Sequence, residues 1–116
     1  MPKMYGIAAG AFLMMGGQAL AHTHLVSSSP AEGGVLAAGA KELTLTFDGL
    51  MKEATCNAAD ASGKAVAPLG QAQVDREKVH VPVTGKFAAG AYAMTCRYKG
   101  VDGHEMNATV KFTVAH

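Results

Sequence analysis

The residues of this 116-residue chain best suited to chemistry are its five histidines, its two cysteines and a few carboxylates. Two of the histidines stand where a processed chain would begin, in Ala19-Leu20-Ala21-His22-Thr23-His24. If the chain is cut after Ala21, His22 becomes residue one, and its α-amine and imidazole can chelate one metal ion. Two nitrogen donors of this kind suit Cu(II) in tetragonal N/O geometry. Further along, Asp102-Gly103-His104 sets a carboxylate and an imidazole two residues apart, on one side of an extended segment. Glycine between them lets the backbone pass close to a bound ion. The amine and imidazole of His22, the imidazole of His104 and the carboxylate of Asp102 make an N3O set for square-planar Cu(II). His24 offers the same amine a second arrangement, in which two deprotonated backbone amides and the third-residue imidazole wrap Cu(II) or Ni(II). Strand pairing just beyond His24 would occupy those amides, which favours the His22 brace and leaves His24 as an additional axial or supporting group.

This chemistry requires that the N-terminus be removed. Lys3 gives a positive start, Tyr5 to Met15 is apolar apart from glycines, and Ala19-Leu20-Ala21 fits the small-residue cleavage pattern. The apolar run is shorter than the roughly 20 residues a spanning helix needs. Residues 1–21 are therefore read as a cleaved secretory signal peptide and residues 22–116 as a single small domain. Loss of Lys3 leaves equal numbers of basic and acidic residues, with no basic run. That balance gives no footprint for nucleic acid.

The elements that must position the candidate ligands read as strands. Glu42 to Phe47 alternates strictly, with Leu43, Leu45 and Phe47 on one face. Lys78 to Val83 alternates with Val79, Val81 and Val83 inward, and Pro82, which cannot donate to a ladder, predicts a sheet edge there. Ala91 to Tyr98 alternates without declaring which face is buried. Met106 to Val114 places Ala108, Val110, Phe112 and Val114 together. Leu25-Val26 reads as a short first strand before Pro30, Ala54 to Ala59 as a weaker one containing Cys56, and Val66 to Val74 is ambiguous. Gly, Pro and Asp turns separate them, and no helix pattern follows residue 21. About seven short antiparallel strands predict an all-β sandwich or small barrel.

Cys56 and Cys96 fall on different predicted strands. In an exported domain the leading expectation is a disulfide that cross-links the sandwich, with a thiolate copper site as the alternative. Met51, Met94 and Met106 are scattered, which suits core filling better than a thioether Cu(I) site. His80 reads as a surface residue and His116 as a terminal one. Ser27 to Ser29 precede a proline and form no nucleophile elbow, so a Ser-His-Asp hydrolase is not supported.

From His22 to Val114 the chain resembles the CopC/PcoC family of periplasmic copper-resistance proteins. The resemblance rests on a histidine at the cleavage junction, Leu25-Val26-Ser27-Ser28-Ser29-Pro30-Ala31-Glu32-Gly33, Leu43-Thr44-Leu45-Thr46-Phe47, Ala89-Gly90-Ala91-Tyr92, Arg97, Asp102-Gly103-His104 and Val110-Lys111-Phe112-Thr113-Val114. It implies an Ig-like Greek-key sandwich of about seven strands that binds Cu(II) through His22, Asp102 and His104. It also implies a monomeric periplasmic carrier or buffer that performs no turnover and works beside an inner-membrane copper transporter of the CopD type. Cys96 stands where the family usually has Trp, and Glu105 where it has Pro after the site histidine. Two other functions would use the same residues differently. A copper-dependent oxidase using the brace would want an open equatorial position and a flat aromatic face, whereas aromatic residues are 6% of this chain and Trp is absent. A secreted Ig-like domain without metal would leave the histidines incidental. The intact mass of the exported protein tests the shared premise: it should correspond to residues 22–116, and any other N-terminus removes His22 from the site.

Overall fold

Alternation of apolar and polar residues becomes a two-sheet structure because each strand buries one face and solvates the other. A computed structural model describes residues 23–115; the signal segment, His22 and His116 lie outside the described residues. Nine strands follow in order: β1 (Leu25–Ser29), β2 (Gly34–Leu36), β3 (Glu42–Phe47), β4 (Met51–Asp60), β5 (Ala65–Val66), β6 (Gln73–Asp75), β7 (Lys78–Pro82), β8 (Gly90–Gly100) and β9 (Glu105–Val114). They form a four-stranded sheet ordered β1-β3-β7-β6 and a five-stranded sheet ordered β2-β9-β8-β4-β5. The result is an Ig-like all-β sandwich.

The core lies between the sheets. Leu43, Leu45 and Phe47 of β3 and Val79 and Val81 of β7 face Tyr92, Met94, Cys96 and Tyr98 of β8 and Val110, Phe112 and Val114 of β9, all buried. The face of β8 that the sequence left open is therefore Tyr92, Met94, Cys96 and Tyr98. Each large apolar side chain buried contributes about 1.5–3 kcal/mol. A one-residue slip would turn the whole set to solvent, so the register is strongly specified.

Three details differ from expectation among the described residues. The strand count is nine rather than about seven, because β2, β5 and β6 span only three, two and three residues, too few to show a period. One pair is parallel: after Pro30 the chain leaves β1 and runs alongside β9, with Gly34 opposite Phe112. Strand β7 is also not at an edge, since it lies between β3 and β6. Pro82 is accommodated because β6 begins only at Gln73, opposite His80 and two residues short of Pro82 in the antiparallel pairing. Beyond that point the Pro82 carbonyl accepts a hydrogen bond from Gly70 N–H at 2.8 Å.

Cys56 and Cys96 form a disulfide. They sit directly opposite each other on β4 and β8, so the bond joins two neighbours of one sheet and does not bridge the two sheets. At the start of β8 the Tyr92 hydroxyl donates to the Ala88 carbonyl at 2.7 Å, and its ring packs with Phe87 and Phe112. This ties the crossover from β7 onto the five-stranded sheet, in the manner of a tyrosine corner. The disulfide closes a separation of 40 residues, which corresponds to about 4 kcal/mol of stabilisation in the chain-entropy account. Replacing both cysteines by serine should lower stability in urea by that order, and thiol titration of the native protein should find none until reductant is added.

Candidate metal centre

Three segments meet at one end of the sandwich: residues 23–24 at the chain entrance, the β3–β4 turn at 48–50, and the β8–β9 turn at 101–104. The β4–β8 register brings Met51 opposite Gly100, and Val101 N–H donates to Leu50 O at 3.0 Å, joining the two turns. Thr23 is buried between them. The Tyr98 hydroxyl donates to the Thr23 carbonyl at 2.9 Å. The Thr23 side chain fills space that exists because Gly49 and Gly100 lack a Cβ: one built on Gly100 would stand 2.5 Å from Thr23 Oγ1, and one on Gly49 3.2 Å. His24 is held by the β3–β4 turn. Its N–H donates to Asp48 Oδ1 at 2.7 Å, Asp48 N–H donates to the His24 carbonyl at 2.9 Å, and the imidazole Nδ1 is 3.8 Å from Asp48 Oδ2.

The β8–β9 turn carries the other candidate donors. Gly103 adopts φ 84°, a conformation that favours glycine, and its N–H donates to Gly100 O at 3.0 Å. Asp102 Oδ1 accepts the His104 N–H at 3.1 Å, which orients the carboxylate so that Oδ2 lies 3.9 Å from His104 Nδ1. Two donors at about 2 Å from a single ion lie roughly 2.8–4 Å apart, so this pair fits one metal ion. The Asp102 side chain is 25% exposed and that of His104 58%, which leaves the donors open to solvent on one side.

Among the described residues no group of three or more His, Cys, Asp or Glu side chains could hold a metal ion. Asp102 and His104 are brought together, and His24 lies with Asp48 at the same end; His22 is outside the described residues. Asp48 and Tyr98 were missed as contributors. Asp48 stands in an Asp-Gly turn, and a carboxylate 24 residues from its histidine leaves no spacing signal. His80 lies on β7 with Nδ1 3.1 Å from Glu42 Oε2 and Nε2 4.0 Å from Asp75 Oδ2, an ion-pair cluster on the other sheet. Met51 and Met94 are core residues, and Met106 packs against the core.

Comparison with known proteins bears directly on this arrangement. The family model for the CopC domain matches residues 25–115. The solved structure of CopC from Methylosinus trichosporium OB3b is similar with TM-score 0.71 and 26% identity, covering 80% of this chain and 93% of that one. PcoC from Escherichia coli, described as a methionine-rich copper resistance protein, shares the fold with TM-score 0.69 at 21% identity, covering 81% of this chain and 99% of its own. No curated protein matches the chain.

The electrostatics centre on Tyr98. Burial disfavours its phenolate, and the charges of Asp48 and Asp102 disfavour it further, so its ionisation is pushed above the ordinary tyrosine range. The hydroxyl therefore stays a neutral donor to Thr23. A group whose ionisation is raised on folding contributes stability that is present below its unfolded value, about pH 10, and is lost as pH climbs through the folded value. At neutral pH, Tyr98→Phe should cost about 1–2 kcal/mol for the missing hydrogen bond and the unsatisfied carbonyl. Urea denaturation repeated above about pH 10 should show that difference shrinking, because the wild type alone then loses the raised-ionisation contribution.

Proposed function

The chain belongs to the CopC domain family, and from that premise we propose that it is an exported copper protein that sequesters or carries Cu(II) without turnover, holding it with His22, Asp102 and His104. The observation that carries this reading is the anchoring of Thr23. The residue next after His22 in sequence is buried against Gly100, its carbonyl bound by Tyr98, at the end of the sandwich where Asp102 and His104 lie together. Consecutive Cα atoms are about 3.8 Å apart, so a ligand at residue 22 is within reach of that turn.

Each residue has a distinct role. Cleavage after Ala21 turns the nitrogen of His22 from an amide into an amine. His104 supplies an imidazole, and Asp102 supplies an anionic oxygen whose orientation is set by the His104 amide. An N3O set of this softness favours Cu(II) over Cu(I). The competing arrangement would need the His24 amide as a deprotonated ligand, and that amide is already committed to Asp48 at 2.7 Å. His24 then supports the site from the side. We place the protein in the periplasm as a monomer that passes copper to an inner-membrane transporter of the CopD type; exposed donors on one face suit a cargo that must leave again.

The test is Cu(II) titration of the exported protein, with chelator competition for affinity and electron paramagnetic resonance for the ligand set. One Cu(II) per chain is expected. His104→Ala and a form with one alanine added before His22 should each lose more than the roughly 10–100-fold expected from an outer-shell residue, while His24→Ala should keep the nitrogen-rich spectrum. Undiminished binding by the extended form would sink the reading.

A further inference from the structure

We infer that Tyr98 is a positioning residue for the copper site, a buried clamp that fixes the mature N-terminus before metal arrives. This rests on the reading of His22 as a ligand. A donor on the first residue of a chain is held from one side only, and an unanchored terminus must be ordered whenever the ion binds. Here the residue that follows is already held by the fold, through the ring and the hydroxyl of Tyr98 and the fit of Thr23 itself.

The first is the ring of Tyr98, 3% exposed and packed on Phe47 with centroids 4.5 Å apart, so that its direction is set by the core. The second is its hydroxyl, which lies two residues short of Gly100 and donates to the Thr23 carbonyl across 75 residues of sequence. The third is the fit of the Thr23 side chain over Gly100 and Gly49, where neither residue has a Cβ to oppose it. Asp48 then grips the next residue through both the N–H and the carbonyl of His24. A clamp at residue 23 leaves only one planar peptide unit and the dihedrals on either side of it between the held residue and residue 22, which limits the volume that a donor there has to search. Tyr98 also stands on the same strand that leads into Asp102 and His104, so one element sets the direction of both halves of the ligand set. Outer-shell partners that orient ligands in this way change metal affinity by roughly 10–100-fold when removed.

A control with the same chemistry is built into the fold. Tyr92, near the other end of β8, also donates a hydroxyl to a backbone carbonyl, Ala88 O at 2.7 Å, in the tyrosine corner. Tyr92→Phe removes an equivalent hydrogen bond far along the strand from the metal turn. The experiment compares the exported wild type, Tyr98→Phe and Tyr92→Phe, each shown folded by far-ultraviolet circular dichroism and thermal melting. Affinity is read by Cu(II) competition against a chelator and the ligand field by electron paramagnetic resonance. Tyr98→Phe should bind Cu(II) about 10–100-fold more weakly, with a broadened or shifted spectrum, and Tyr92→Phe should bind like wild type. Gly100→Ala provides a second route, since it leaves the Tyr98 hydroxyl in place and displaces Thr23; it should weaken binding in the same sense. Wild-type affinity in both Tyr98→Phe and Gly100→Ala would overturn the clamp. So would an equal loss in Tyr92→Phe, which would make affinity follow global stability and not position. Absence of Cu(II) binding by the wild type would overturn the copper reading first and the clamp with it, and is distinguishable from either of those results.

Discussion

The pairing of β8 with β4 on one side and β9 on the other is the constraint on which the molecule depends. Eleven residues of β8 run the length of the five-stranded sheet, and four of its inward side chains, Tyr92, Met94, Cys96 and Tyr98, form the wall against which the other sheet packs. The period of a strand is two, so the register is all or nothing: a slip of one residue would bury Ala93, Thr95 and Arg97 in place of those four. The Cys56–Cys96 bond pins that register near its middle by joining two residues already opposite each other. It is a staple within a sheet; the sheets are held to one another by the core, with a backbone hydrogen bond from Met51 N–H to Arg76 O at 2.8 Å between them.

The two tyrosines near the ends of β8 give the strand a second use. Each buries its ring in the core and sends its hydroxyl to a carbonyl on a segment that arrives from elsewhere. Tyr92 receives the crossover from β7, and Tyr98 receives the segment that leads into β1. The consequence is that three loops with no local reason to meet are held at one end. A metal site assembled there draws its precision from the sheet, although its donors sit on turns and at a terminus, where backbone is ordinarily least constrained.

The same end concentrates negative charge, with Asp48 and Asp102 both acting on Tyr98. Two carboxylates around a neutral phenol favour a cation in their neighbourhood and disfavour ionisation of the clamp itself. Asp102 and His104 are only partly covered, and His104 is more than half exposed. This small sandwich offers one end of its sheets to solvent.

Much of this was legible in the residues. Strict alternation in Glu42–Phe47 and Met106–Val114 specified strands and their buried faces, because a period of two has no other stable interpretation. The candidate N3O donor set, a histidine after the Ala-Leu-Ala pattern and an aspartate two residues before another histidine, was an expectation drawn from residue types together with the family resemblance. Other features depended on sequence separations that no local pattern records. The inward face of β8 was undetermined because Ala91, Ala93 and Thr95 are small enough for either side. Short β2, β5 and β6 carried no period, and Pro82 suggested an edge when a strand that stops two residues early makes equal room for it. Above all, the joining of Thr23 to Tyr98 and of His24 to Asp48 was decided by tertiary structure. Those partners are 75 and 24 residues apart, and they meet because folding two sheets face to face brings chain entrance and turns to the same end. Sequence named candidate donors by residue type; the sandwich decided that Asp102 lies beside His104 and Asp48 beside His24 at one end, because its register sets which turns meet.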